Sequence, residues 1–80
     1  MSHTPHELAE EFPAQAELIS RLKQEDAHFA KLAEEYHDLN RAVHRAETNV
    51  EPVSDQVETD LRKARAGLKD QIWGVLSKAA

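Results

Sequence analysis

Residues 29–46 read FAKLAEEYHDLNRAVHRA, and the apolar members Phe29, Leu32, Tyr36, Leu39, Val43 and Ala46 fall at spacings of three, four, three, four and three. That is the heptad repeat by which a helix presents one narrow apolar stripe to a partner helix. The stripe predicts a helix over about 27–47 and requires something to cover it.

The cover is written further along. Val57, Leu61, Ala64, Leu68, Ile72 and Val75, with Leu76 beside them, make a second stripe at helical spacing, predicting a helix over 55–77. Between the two stripes lies Thr48-Asn49-Val50-Glu51-Pro52-Val53-Ser54, where Pro52 stops helix continuation. Ser54 is a candidate N-cap, with Asp55 and Glu58 near the positive end of the helix it opens. Two helices of similar length joined by a linker over 48–54 predict an antiparallel, coiled-coil-like hairpin.

Upstream, Thr4-Pro5-His6-Glu7 reads as a helix start, with Thr4 as cap, Pro5 at the first helical position and Glu7 as the capping-box carboxylate. Pro13 ends that helix (5–11) and opens another (13–24), on which Phe12, Ala16, Ile19 and Leu22 share a face with Leu8. A segment of this kind is expected to dock on the hairpin. Lys23-Gln24-Glu25-Asp26 is a polar break without Gly or Pro, and Asp26 suits the N-cap of the next helix. Leu22 nonetheless stands seven residues before Phe29, so an unbroken helix would keep the stripe in register. The fold class expected is all-α: one domain over 1–80, a two-helix hairpin with a short helical N-terminal segment packed against it.

An 80-residue chain buries about 60% of its unfolded surface, so a marginal core supplemented by self-association is expected. Two single-stripe helices bury little, which points to a dimer resembling a four-helix arrangement, or to another protein as partner. There is no Cys, hence no disulfide, thiolate site or Cys nucleophile. No basic-then-apolar leader opens the chain and no apolar run approaches the roughly 20 residues of a membrane span. A cytoplasmic protein without membrane contact is expected.

Candidate chemistry is sparse. Glu34-Glu35-Tyr36-His37 holds a Glu-x-x-His spacing, but di-iron bundles need two such motifs and two more Glu, all facing inward. Here Glu34 and His37 flank the stripe on its solvent side. His37 and His44 lie about 10.5 Å apart along a helix, too far to share one ion. His3 and His6 have chelating spacing, but at a chain end. The four serines sit in no nucleophile elbow and the two glycines make no phosphate loop. No enzyme, metal, cofactor or small-molecule substrate is expected.

Two surface features remain. Arg62, Lys63, Arg65 and Lys69 form the densest basic cluster, a candidate nucleic-acid contact. They spread over more than one helix face among Glu58, Asp60 and Asp70, and the net charge is −5, so nucleic acid is the lesser reading. Trp73 lies about 100° or more off the second stripe, placing it against the N-terminal segment through its Leu8, Phe12 or Ile19 face, against another chain, or merely exposed. Gly67 and Gly74 share one side of that helix, which reads as close backbone approach or as simple tolerance.

Glu7-Leu8, Phe12-Pro13, Leu22-Lys23, Asp26, His28-Phe29, Leu32 and Tyr36-His37 together resemble the YdcH-like family of small bacterial proteins, domain of unknown function 465. The resemblance continues through Asn40, Arg45, Glu47, Leu61-Arg62, Arg65, Leu68-Lys69-Asp70 and Ile72. It implies a helical hairpin with a helical N-terminal extension in the bacterial cytoplasm. It implies no activity, and Arg65, Lys69 and Asp70 carry over as matched positions without a role. At Trp73-Gly74 the chain departs from the family, which more often carries Tyr and a bulkier residue.

Overall fold

A computed structural model describes residues 6–48 and 53–79, and every regular element among them is helical. Helix α1 spans Leu8–Glu11, a 3₁₀ turn spans Pro13–Gln15, and α2, α3 and α4 span Ala16–Glu25, Ala27–Glu47 and Asp55–Ala79. The chain is all-α.

The local signals explain most boundaries. The Asp26 carboxylate accepts from the backbone N–H of His28 (3.0 Å) and Phe29 (3.1 Å), so α3 opens on the expected cap. Its own backbone is extended (φ −125°, ψ 106°), which separates α2 from α3 at the polar break. Ser54 Oγ accepts from the Val57 N–H at 3.2 Å and caps α4. Pro13 starts the 3₁₀ turn that leads into α2, its missing N–H costing nothing in a first turn.

The N-terminal boundary differs from expectation. His6 has φ 64° and Glu7 is extended with ψ 156°, so the first helix begins at Leu8 rather than at residue 5. Glu7 makes no side-chain cap bond; its carboxylate points across to α3 instead. Thr4 and Pro5, His3, and linker residues 49–52 with Pro52 lie outside the described residues.

Packing concentrates at one end. Leu8, Ile19, Phe29, Leu32, Ala33, Tyr36, Ile72 and Leu76 form one core cluster, with Phe12, Leu18, Leu22, Leu68 and Val75 against it. The core therefore lies where the N-terminal segment, the first half of α3 and the second half of α4 meet. Towards the other end α3 buries Val43 and Ala46 outside that cluster, and polar ties join it to α4: Arg62 reaches Glu47 and Arg65 reaches Asn40.

The stripe of α3 emerges nearly as spaced, with Phe29, Leu32, Tyr36, Val43 and Ala46 buried and Leu39 half-buried. That of α4 does not. Val57 is 44% exposed and Ala64 is exposed, whereas Arg65 and Lys69 are half-buried beside Leu61, Leu68, Ile72 and Leu76. The inward face of α4 thus keeps Leu61, Leu68, Ile72 and Leu76 and takes Arg65 in place of Ala64, with Lys69 at its edge, a turn well short of the roughly 100° that one residue spans. The reason is polar: each of these cations reaches a carboxylate or amide on another element.

Among the described residues, a Cβ added at Gly67 or Gly74 would meet nothing of another element within 4 Å, so no other element's backbone closes on either glycine. Gly67→Ala and Gly74→Ala should each raise stability by about 1 kcal/mol, because a mid-helix glycine gives up more backbone entropy than alanine. Thermal unfolding followed by circular dichroism checks this, and a fall in melting temperature would contradict it.

Candidate functional site

Three interactions pin the N-terminal segment to the α3–α4 pair. The Tyr36 hydroxyl, deep in the core, donates to the His6 carbonyl at 2.6 Å. The left-handed backbone at His6 accompanies that contact. Burial, then the negative charge of Glu11, pushes the Tyr36 phenol up to about 12 from 10.0. A raised phenol stabilises the fold fully below its unfolded value. That contribution is lost as pH rises from about 10 towards 12.

The second tie runs through Glu7. Its carboxylate receives His37 Nδ1 at 3.2 Å and Asn40 Nδ2 at 3.4 Å, and Asn40 Oδ1 accepts from Arg65 Nη1 at 2.9 Å. Asn40 is 0% exposed. A buried amide with a charged group on each side thus links the N-terminal segment, α3 and α4 in one chain of hydrogen bonds. His37 remains solvent-facing, as its spacing suggests, yet it serves as an anchor.

The third tie is Lys69 Nζ donating to Glu11 Oε1 at 2.8 Å, with His6 Nδ1 at 3.5 Å from the same oxygen. The Lys69 hydrogen bond holds the Glu11 carboxyl below its usual value, more than partial burial raises it. A depressed carboxyl contributes stability above its unfolded value. That contribution disappears as pH falls through the folded one.

Beside this last tie stands the surface that sequence spacing singles out. Trp73 stacks on Phe12 with ring centroids 5.6 Å apart and planes 9° from parallel. Lys69 Nζ lies 5.8 Å from the Phe12 ring centroid, within cation–π range. Trp73 is still 47% exposed, so the indole covers the N-terminal segment with one face and meets solvent with the rest. Phe12, Pro13, Lys69, Asp70 and Trp73 border an open recess of about 400 Å³. A second and wider groove, about 620 Å³, runs between the N-terminal segment and α3, floored by Ala16, Ile19, Ala30 and Ala33.

The basic cluster is brought together only in part. Arg62 Nη2 donates to Glu47 at 2.9 Å and to Glu58 at 2.8 Å, and these partners raise its already high pKa. Arg65 serves Asn40 and Lys69 serves Glu11, while Lys63 lies exposed. Three of the four cations therefore face partners within the chain. Among the described residues no group of three or more His, Asp or Glu is placed to hold a metal ion. No helix of the described residues is long and apolar enough to cross a membrane.

Sequence spacing misses Glu7, Glu11 and Asn40 as structural anchors. A hydropathy stripe cannot register an inward polar residue; the only signal for Asn40 is its place one turn after Tyr36 and three residues before Val43, on the edge of the seam.

No curated protein and no solved structure matches the chain. Residues 29–76, which comprise nearly all of α3 and most of α4, match the family described as "Protein of unknown function (DUF465)". The matched span includes Asn40, Arg65, Lys69 and Trp73 and leaves out Glu7, Glu11 and Phe12, the residues that meet them. With more than half its length inside that match, the chain belongs to DUF465, the YdcH-like family its sequence resembles.

Proposed function

We propose that the chain is a non-enzymatic protein-interaction module: an antiparallel helical hairpin whose contact surface is the Phe12–Trp73 face. The observation that carries this reading is the half-exposed Trp73 held flat on Phe12 beside Lys69. Indole is costly to leave in water, and protein interfaces favour it as a rigid, amphipathic anchor. Stacking on Phe12 fixes the ring in advance, so little side-chain entropy remains to be lost on binding. Self-association into a dimer is the form that the small core favours.

Nucleic acid is supported less. Polyanion binding draws on cations free to replace counterions, and Arg62, Arg65 and Lys69 are engaged by Glu47 and Glu58, Asn40 and Glu11.

Truncating the indole tests the reading. Sedimentation velocity over a wide concentration range should show reversible association, with Trp fluorescence shifting to the blue as it proceeds. Trp73→Ala should weaken that association at least tenfold while leaving the helical circular dichroism intact, because half of the side chain is already outside the core. Unchanged association in Trp73→Ala, or a strictly monomeric protein whose Trp emission never shifts, would reject it.

A further inference from the structure

We propose that α2 and α3 can straighten into one helix at Asp26 and that two copies of the chain then exchange their N-terminal arms, residues 6–25. The proposal rests on the self-association reading above and gives that association a geometry other than face-to-face contact through Trp73.

The hinge is one residue wide. The helical ladder is intact on both sides of it: the Asp26 N–H donates to the Leu22 carbonyl at 2.8 Å, and the Ala30 N–H donates to the Asp26 carbonyl at 2.9 Å. Asp26 alone leaves helical torsions, at φ −125° and ψ 106°. Its side chain takes the N–H groups of His28 and Phe29, which an unbroken helix would satisfy from the Gln24 and Glu25 carbonyls. Bent and straight forms thus differ mainly in the two torsions of one residue and in who accepts two hydrogen bonds. Nothing in Lys23-Gln24-Glu25-Asp26-Ala27 forbids the straight form, since the segment has neither Gly nor Pro.

The apolar pattern fits both forms. Leu22 stands seven residues before Phe29, Leu18 fourteen before Leu32, and Ile19 fourteen before Ala33. A continuous helix over 16–47, about 48 Å long, would therefore carry its apolar residues on one face in a single heptad register, broken at Glu25. A bend that served only to close a monomer would have no reason to preserve heptad register across it.

Straightening removes the arm from its own core, leaving Phe29, Leu32, Tyr36, Ile72 and Leu76 uncovered. The occupant complementary to that surface is an identical arm. It would supply the same Leu8 and Ile19 to the core, Glu7 to His37 and Asn40, Glu11 to Lys69, and Phe12 to Trp73. Exchange between identical chains keeps every such contact while moving it between copies.

The absence of native cysteine makes a direct test possible. Glu11→Cys and Lys69→Cys variants, mixed, unfolded, refolded together and treated with a short bis-maleimide, whose spacer stands in for the two long side chains that meet there, should give a cross-link joining one variant to the other. Adding Ala27→Pro to both should reduce that product and the dimer fraction at least tenfold. Residue 27 is the first of α3, where proline is welcome after an extended residue, but it would be interior in the straight helix. Asp26→Ala, which deletes the cap and favours helix, should raise the dimer fraction. Circular dichroism verifies that both hinge variants remain folded. A cross-link that persists undiminished with Ala27→Pro would overturn the exchange and leave face-to-face association through Trp73 standing. Monomers at all concentrations, with Asp26→Ala included, would overturn exchange and self-association alike.

Discussion

Phe29→Ala is expected to cost about 3–5 kcal/mol, the range for deleting a fully buried ring from a close-packed core. Phe29 is 0% exposed and belongs to the cluster that holds Leu8 and Ile19 of the N-terminal segment against Ile72 and Leu76 of α4. A domain of this size has about 4–12 kcal/mol in all, at 0.05–0.15 kcal/mol per residue. Losing the ring therefore removes a large fraction of it. It lies on the first turn of α3, directly after the hinge, where three elements converge and no neighbouring helix is free to close the void. Val43→Ala, at the two-helix end of the same seam and outside that cluster, should cost only about 1–2 kcal/mol, since fewer atoms are removed and fewer neighbours lose contact. Urea unfolding of both variants, followed by far-ultraviolet circular dichroism, decides the matter. Equal losses would mean that the core is spread evenly along the seam.

That asymmetry marks the limit of reading this chain from periodicity. The seam from Phe29 to Ala46, the cap at Asp26 and the cap at Ser54 are each encoded by residues whose local chemistry has one good solution, and the folded chain uses all three. The inward face of α4 is different. Val57 and Ala64 match helical spacing, yet the helix turns Arg65 and Lys69 inward, because Asn40 and Glu11 lie on other elements where no local pattern records them. The start of α1 fails to follow its capping-box pattern for the same reason: Glu7 bonds to residues thirty and thirty-three positions away. For the candidate surface, the angular offset of Trp73 from the stripe admits three alternatives, cover for the N-terminal segment, contact with another chain, or mere exposure. The indole stacks on Phe12 of the N-terminal segment and leaves about half of its surface to solvent.

Asn40→Leu is expected to cost about 2–3 kcal/mol, although it inserts an apolar residue of similar size into a buried position. The expense falls on the partners: Arg65 loses an acceptor at 2.9 Å while half-buried, and Glu7 loses one of its donors. Replacing Arg65 as well should return part of the loss. Asn40→Leu/Arg65→Met is expected to be more stable than Asn40→Leu by about 1–2 kcal/mol, as in other buried polar groups exchanged together for apolar ones. What the double variant should not recover is alignment. Sliding α4 by one heptad would bring Ile72 or Glu58 to the place of Arg65 opposite Asn40. Ile72 offers the amide no hydrogen bond, and the Glu58 carboxylate cannot donate to its carbonyl, so the native register is the one that satisfies Asn40 through a cation. With the substituted leucine facing an apolar partner, registers one heptad apart differ far less in energy, as when a polar residue is removed from a coiled-coil seam. The double variant should therefore unfold over a broader transition and give doubled or broadened amide resonances for α4, despite its greater stability than Asn40→Leu. A single sharp set of resonances would mean that apolar packing alone sets the register. In that event the buried amide would serve only to hold Glu7 and the N-terminal arm in place.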